Sequence, residues 1–384
     1  MAAYRVSSLH IFPVKSCQGI TVDAARVTPL GLEHDRRWCV VDASDADHDV
    51  MTQYTGCSKL ASICTSIEAA AAAAACEDSN GVLVLRHALA PAPLRVPIRT
   101  RCDPARRVKV GPVSRKTMAW GEDEGDVAAA WLTHVLGGRD AAGTPDFRLV
   151  VTPMDCARVL INDVKFGRLA RLGEMTGFAD TTQLTLANEE SLRVLNERIA
   201  ARNPEGERAP VSMDRFRMNI IIDNDTDDDG DGGGADGDDS DTKTDSAIFF
   251  AEDGWKAIDI VGASSHVSMR VIFPDLRCNV TTLRQKGPLA GQRDARYEPL
   301  TTLRAVRKCK LYSGAAFGIK CNMNTYGDIH DECVVRVGDR IKVRQAVRTP
   351  QTLIMMDYAE LQREMVVPLP LMQHAFGAKG QARM

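Results

Sequence analysis

Apolar and polar residues alternate along the first part of the chain with the period of two that is typical of β-strands. The alternation runs through residues 4–14, and shorter segments of the same character cover residues 22–27 and 38–41. Glycine and proline residues lie between these segments, where turns are expected. The pattern therefore predicts antiparallel β-structure at the start of the chain.

Further strands are predicted later in the sequence. Apolar runs of high β propensity cover residues 216–222 and 267–273. Residues 334–343 contain two short strand-like segments on either side of residues 337–339, whose Val-Gly-Asp sequence predicts a tight turn. Strands of this number and length predict a protein that is mostly β with some helices, in the α+β class.

Two segments have helical periodicity. The first covers residues 122–136, with acidic residues in its predicted first turn and Gly137 at its end. The second follows Asn188, which can cap a helix, while Glu189 and Glu190 complement the helix dipole. Both segments have apolar residues at helical spacing, and in the second these residues form one apolar face.

Length, cysteine content and hydropathy limit the class of protein. A chain of 384 residues is long for one hydrophobic core, which favours two domains in close contact or one large composite domain. Its 11 cysteines form no CxxC pair, and no histidine cluster has zinc spacing, so a reducing compartment fits best. No stretch approaches the ~20 apolar residues of a membrane helix, and no secretory signal is evident. The prediction is a soluble cytoplasmic protein, with mitochondrial association without an evident anchor as the alternative.

The net charge of -3 hides a strong asymmetry. Residues 223–245 contain eleven Asp and one Lys, a local charge of -10, so the rest of the chain carries -3 - (-10) = +7. We predict that residues 223–246 form a disordered acidic insertion, because so few apolar residues cannot offset the entropy of ordering. The basic remainder favours an anionic ligand or partner, but it lacks the pattern of a nucleic-acid surface.

The candidate chemical groups lie on predicted strands or at their ends. Cys278 comes after the apolar run 267–273, and Lys15 and Arg36 lie at other strand ends. Arg217 and Asn219 are two apart on a predicted strand and would share one face, an arrangement suited to binding a phosphate and a ring amide. Each of these residues also has an ordinary interpretation, as a small buried hydrophobe, a surface charge or an ion-pair partner.

In order along the chain, several short motifs resemble the MOSC family and, within it, the amidoxime-reducing components. The motifs are residues 12–17 (FPVKSC), 31–32 (GL), 35–38 (DRRW), 180–182 (DTT), 188–192 (NEESL), 216–219 (FRMN), 277–278 (RC), 281–282 (TT), 298–300 (EPL), 317–318 (FG) and 337–339 (VGD). Three features depart from the family pattern: Met218 replaces a usual Pro, Lys320 replaces a frequent aromatic residue, and the Asp-rich insertion is additional.

The resemblance implies an N-terminal β-barrel domain packed on a β-barrel-like MOSC domain. The implied bounds are 4–110 for the first domain, 111–148 for a connecting helical segment, 149–345 for the MOSC domain and 346–384 for a C-terminal tail. The implied cofactor is the molybdenum cofactor (Mo-molybdopterin), with Cys278 as metal ligand and catalytic residue. The implied cofactor-binding residues are Lys15, Ser16, Arg36, Asp180, Thr181, Thr182, Arg217, Asn219, Arg277 and Lys320.

The implied function is a molybdenum-dependent oxidoreductase that removes oxygen from N-hydroxylated compounds such as amidoximes and hydroxylamines. No ferredoxin-like cysteine set, flavin fingerprint or haem motif is evident, so electrons must come from a separate protein. The resemblance implies cytochrome b5 with NADH-cytochrome b5 reductase, and a ferredoxin as the second choice. The alternative function is a carrier of the cofactor or of sulfur, without redox turnover.

Overall fold

A computed structural model gives the fold and describes residues 3–42, 44, 48–55, 57–69, 79–114, 117–137, 147–162, 169–203, 210–224, 250–310, 314–323, 333–347 and 360. The strands of its first part are β1 (Tyr4–Ile11), β2 (Ile20–Val22), β3 (Ala24–Thr28), β4 (Gly31–Leu32), β5 (Trp38–Asp42), β6 (Cys64–Glu68), β7 (Ser79–Arg86), β8 (Leu94–Arg99), β9 (Arg107–Ser114) and β10 (Thr117–Asp123). Those of its second part are β11 (Phe147–Val151), β12 (Arg158–Val159), β13 (Met175–Thr176), β14 (Leu184–Asn188), β15 (Ile220–Asn224), β16 (Trp255–Val261), β17 (His266–Arg277), β18 (Ala315–Met323), β19 (Val334–Arg336) and β20 (Arg340–Ala346). The α-helices are α1 (Asp126–Leu136), α2 (Glu189–Arg202) and α3 (Leu300–Val306).

Seven strands close into a barrel. Hydrogen bonds join them in the order β15, β14, β18, β17, β16, β20 and β1, and β1 then pairs with β15. The pairs are antiparallel, except that β14 and β15 are parallel. The first strand of the chain thus completes a barrel whose other six strands come from its second part. The predicted domain bounds at residues 110 and 149 stay a prediction.

The barrel interior is apolar because alternate residues of each strand point inward. Leu9 of β1, Ile220 of β15 and Ile319 of β18 are all 0% exposed and belong to one core. Each such side chain contributes about 1.5–3 kcal/mol by leaving water. The alternation in residues 4–14 predicted this strand, which ends at Ile11.

A second core lies among the smaller sheets of the first part of the chain. One sheet has the order β5, β11, β10 and β9, and another has the order β6, β7 and β8. Trp38, Leu83 and Leu132 are among the buried residues that pack together there with α1. The prediction of a mostly β fold with some helices is confirmed, since 43% of the described residues are in strands and 22% are helical.

The structure corrects three predicted elements. The helix predicted over residues 122–136 begins at Asp126, because residues 122 and 123 belong to β10 and pair with β11. The strand predicted over residues 22–27 is divided at Asp23 into β2 and β3. The strand predicted over residues 216–222 begins at Ile220 and is preceded by a 3₁₀ helix, Met213–Phe216.

Two predicted features fall wholly or mostly outside the described residues: the acidic insertion, of which only residues 223 and 224 are described, and the tail beyond residue 347, of which only residue 360 is described. Within the described residues, no helix is both long and apolar enough to cross a membrane.

Candidate functional site

The barrel topology brings three of the predicted segments together. Because β1 is antiparallel to β15 and β14 is parallel to β15, the carboxyl end of β1 lies beside the amino ends of β14 and β15. Lys15 follows β1, residues 180–182 precede β14, and Arg217 and Asn219 precede β15. Segments that are far apart in sequence therefore meet at one end of these strands.

Lys15 and Asp180 form the first contact of this site. Lys15 is 8% exposed, and its Nζ donates to the Phe178 carbonyl at 2.8 Å and pairs with the Asp180 carboxylate. Desolvation acts to raise the pKa of Asp180, but the charges of Lys15 and Lys320 outweigh it and hold that pKa well below its usual range. The Asp180 carboxylate is therefore ionised at neutral pH.

Two arginines stack on Phe12. The guanidinium carbon of Arg36 lies 4.8 Å from the Phe12 ring centroid and that of Arg217 lies 4.4 Å from it. Arg36 donates to the Asn219 amide oxygen at 3.0 Å and to the Arg217 carbonyl at 3.1 Å, while Arg217 donates to the Cys17 carbonyl at 2.6 Å. Burial and the neighbouring Arg36 charge lower the pKa of Arg217 to about 10. Two like charges are thus held close together, which favours an anion between or beside them.

Three of the predicted residues have left-handed backbone. The φ angles are 69° at Ser16, 49° at Arg36 and 54° at Arg217. Residues other than Gly and Asn rarely adopt this backbone conformation. Such residues cost of order 1–3 kcal/mol each and cluster at binding and catalytic sites. The backbone therefore marks the same loops that the sequence motifs indicated.

Thr181 contributes a buried hydroxyl that has no hydrogen-bond partner in the described part of the protein. Its Oγ1 has no hydrogen-bond partner among the described residues, whereas Thr182 Oγ1 donates to the Leu184 carbonyl at 3.3 Å. A buried hydroxyl without a partner costs about 1–3 kcal/mol, so it suggests a bound group that completes the hydrogen bonding.

Cys278 lies directly after β17, at the start of a 3₁₀ helix, Asn279–Thr282. The residue is exposed, but atoms packed around its thiol desolvate it and raise its pKa, and the carboxylates of Asp180 and Asp275 act in the same direction. The adjacent Arg277 donates to the Phe216 carbonyl and pairs with Asp275, which places Cys278 next to the loop that carries Arg217.

Charged groups around this point form what we name the cationic cluster. Its members are Lys15, Arg36, Arg158, Arg217, Arg277 and Lys320 with Asp35, Asp180 and Asp275. Six positive and three negative charges give 6 - 3 = +3. The cluster is suited to a ligand with several negative charges, such as a phosphate ester.

Two of the predicted cofactor-binding residues, Asn219 and Arg277, use their polar groups in hydrogen bonds within the protein. Asn219 is 0% exposed, and its amide contacts Arg36, Thr185 and the His10 carbonyl. It lies behind Arg36 and orients it. Arg277 is similarly engaged: it donates to the carbonyls of Phe317 at 2.8 and 3.0 Å and of Phe216 at 2.9 Å.

The sequence patterns did not indicate Gln53 and Gln285, which brace the site. The Gln285 amide nitrogen donates to Gln53 at 2.9 Å, and the Gln53 nitrogen donates back at 3.1 Å. Arg217 donates to Gln285 at 3.2 Å, and Gln53 donates to the Ser16 carbonyl at 2.5 Å. No local signal could find this pair, because its members are 232 residues apart.

The fold and the site define a β-barrel protein that has an exposed cysteine beside a cluster of buried and half-buried cations. Models of the MOSC N-terminal beta barrel domain and of the MOSC domain match residues 3–139 and 173–342, respectively. These matches together cover most of the chain, and the chain belongs to the MOSC family.

Three individual proteins are similar to this chain over most of its length, at low sequence identity. Mitochondrial amidoxime reducing component 2 of Bos taurus is 29% identical over 346 residues, which cover 88% of this chain and 82% of the relative. Mitochondrial amidoxime-reducing component 1 of Homo sapiens is 25% identical over 342 residues, with coverages of 88% and 82%. Molybdenum cofactor sulfurase of Solanum lycopersicum is 23% identical over 349 residues, which cover 88% of this chain but 36% of the relative.

Proposed function

We propose that the protein binds the molybdenum cofactor and reduces N-hydroxylated compounds such as amidoximes and hydroxylamines. The observation that carries the proposal is the position of an accessible thiol, Cys278, beside a cationic cluster of net charge +3. The similarity to two amidoxime-reducing components over 88% of the chain supports the reaction class.

The residues of the site fit this cofactor. Lys15, Arg36 and Arg217 supply the positive charge that a phosphate ester requires, and the Thr181 hydroxyl is a buried group that has no hydrogen-bond partner within the described part of the chain. A soft thiolate such as that of Cys278 suits a high-valent metal. We infer that Ser16, Asp180 and Thr182 complete the binding loops, and that Asn219 and Arg277 support the site from behind.

The bound cofactor supplies the two-electron chemistry that breaks an N–O bond. The side chains of the site bind the cofactor and orient it. Asp180, whose pKa is held low by Lys15 and Lys320, remains a hydrogen-bond acceptor near neutral pH and does not donate protons. We infer that the protons that form water come from solvent, to which Cys278 is exposed.

Electrons must reach this site from another protein. We infer cytochrome b5 with NADH-cytochrome b5 reductase as the supply, with a ferredoxin as the second choice. The mitochondrial names of two relatives support mitochondrial association as an alternative to the predicted cytoplasmic location.

A second candidate is a carrier of the cofactor or of sulfur without turnover. The alignment with a molybdenum cofactor sulfurase, which covers 88% of this chain at 23% identity, supports it. Both functions require the same cationic cluster, so they differ only in turnover.

The test combines cofactor content and turnover. Purified protein is analysed for molybdenum and for the fluorescence of oxidised pterin, and benzamidoxime reduction is then measured with dithionite as the electron source. Cofactor with turnover supports the reductase, and cofactor without turnover supports the carrier. Absence of pterin after expression with an active cofactor supply contradicts both.

A further inference from the structure

A loop of residues 284–297 begins six residues after Cys278, and its Gln285 contacts Arg217 of the site. The 3₁₀ helix that starts after Cys278 leads into it, and Leu283 and Arg293 form an antiparallel bridge at its base. The Asp294 amide donates to the Thr282 carbonyl at 2.8 Å, which closes the base. We name residues 284–297 the cationic loop.

The charges of the cationic loop are strongly unbalanced. Arg284, Lys286, Arg293 and Arg296 are positive and Asp294 is negative, which gives 4 - 1 = +3. Lys286, Arg293 and Arg296 are exposed. Within the described part of the chain, none of the four cations forms an ion pair, and Arg284 is half-buried, so the loop presents the other three to solvent.

Packing fixes the loop relative to the site. A Cβ at Gly291, where φ is +82°, would lie 2.6 Å from the Ser58 carbonyl oxygen, which shows how closely the loop approaches the 3₁₀ helix Ser58–Ser62. At its other end, Gln285 contacts Gln53 and Arg217. The loop is therefore preorganised, which lowers the entropy that a partner must overcome on binding.

Apolar side chains are exposed among these cations. Leu289 is 42% exposed and Tyr297 is 50% exposed, and the guanidinium of Arg293 lies 5.3 Å from the Tyr297 ring centroid. Aromatic, apolar and Arg side chains together are typical of protein interfaces.

We propose that the cationic loop is the docking surface for an acidic electron-donor protein. The inference rests on the proposed function, because only a redox reaction requires a donor near Cys278. The positive charge of the loop favours binding of an acidic protein. Because the loop is connected to Cys278 by a short segment, we infer that this protein delivers electrons to the site. An anionic membrane could also bind such a loop, but it would have no reason to lie beside the thiol.

The test reverses charges on the loop and at a matched position. The loop variant is Arg293→Glu with Arg296→Glu, and the control is Arg340→Glu with Lys342→Glu, two exposed cations of β20. Arg340 pairs with Arg5 on β1. Arg5 lies near the end of β1 that is far from Phe12, and at 3.3 Å per residue the two are about 20 Å apart. Both variants change the net charge equally.

Binding of cytochrome b5, used as a small acidic haem protein, is measured by calorimetry at low and high ionic strength. Its delivery of electrons to benzamidoxime is measured in parallel with dithionite-driven turnover. We expect the loop variant to lose at least about tenfold in affinity and in donor-driven kcat/KM at low salt, with dithionite turnover unchanged. The control should stay within about twofold of wild type.

Equal losses in both variants, or none in the loop variant, would overturn the proposal. Loss of binding to phosphatidylserine vesicles with cytochrome b5 binding retained would assign the loop to a membrane instead. If the wild type shows no dithionite turnover, the proposed function fails, but the calorimetry still decides whether the loop binds an acidic protein. If circular dichroism shows that the Glu variant is misfolded, Arg293→Gln with Arg296→Gln replaces it.

Discussion

Replacing Arg217 with methionine separates binding of the cofactor from stability of the fold. Methionine keeps the Cβ, so the strained φ of 54° is unchanged and only the guanidinium is lost. The pKa of Arg217 is lowered from 12.5 to about 10 by burial and by Arg36, which corresponds to a cost of about 3 kcal/mol for burying this charge. Its bonds to Cys17 and Gln285 return about 1 kcal/mol each. The two effects nearly cancel.

The free energy of unfolding of apo Arg217→Met, measured in urea titrations, should therefore lie within about 1 kcal/mol of that of the apo wild type. Binding of the cofactor should weaken by roughly ten- to a hundredfold, because one charge-assisted hydrogen bond of about 1.5–3 kcal/mol is lost. Molybdenum occupancy measured with limiting cofactor reports this change.

Arg277→Met is the matched control for Arg217→Met. Its guanidinium bonds two carbonyls and lies 2.5 Å from Asp275, which is 3% exposed. Its loss leaves a buried carboxylate poorly paired, so the apo protein should lose about 3 kcal/mol or more. Unchanged molybdenum occupancy in Arg217→Met, or a loss of apo stability as large as that of Arg277→Met, would show that Arg217 is structural.

Three further predictions follow from single features. Cys278→Ser should abolish benzamidoxime reduction while the circular dichroism spectrum is unchanged, since the residue is exposed; turnover by a fully loaded variant would contradict the ligand assignment. Burial, with the nearby Asp253, raises the pKa of Glu252 from 4.5 to about 7, so its contribution to stability is complete below about pH 4.5 and is lost as the pH rises through 7. The unfolding free energy should fall by up to about 3 kcal/mol between pH 5 and 8, and Glu252→Gln should remove this slope in urea titrations. Deleting residues 225–241 should leave molybdenum content unchanged, because the preceding Asn224 pairs with Tyr4, near the end of β1 opposite to the site; a loss of metal would refute this placement.

Some elements could be predicted because their signals are local. The Asn188 cap is one: its side chain accepts from the Glu190 amide at 3.0 Å, and α2 begins at the next residue. The alternation that predicted β1 is another, since it reflects which side chains enter the barrel. In both cases the cause lies within a few residues of its effect.

Other features depend on contacts that no local pattern contains. The run from Phe216 to Ile222 has high β propensity, but a left-handed residue at Arg217 divides it, and arginine does not mark this conformation as glycine would. Glu122 and Asp123 are acidic residues before a helical pattern, but pairing with β11 keeps them in β10. A left-handed backbone conformation overrides propensity at the first place, and tertiary pairing overrides it at the second.

The same distinction separates the residues that can bind a ligand from those that hold them in place. Sequence motifs give Asn219 and Arg217 equal weight, because both are polar groups in one short segment. In the structure Asn219 is 0% exposed and its amide is engaged by protein partners, whereas burying the Arg217 charge lowers its pKa to about 10. A buried amide with satisfied hydrogen bonds stabilises the fold, and a destabilised charge beside another cation is stabilised by an anion. The cost of burying the Arg217 charge beside Arg36 is therefore the feature that distinguishes this residue, which can bind a ligand, from its neighbour Asn219, which supports the site.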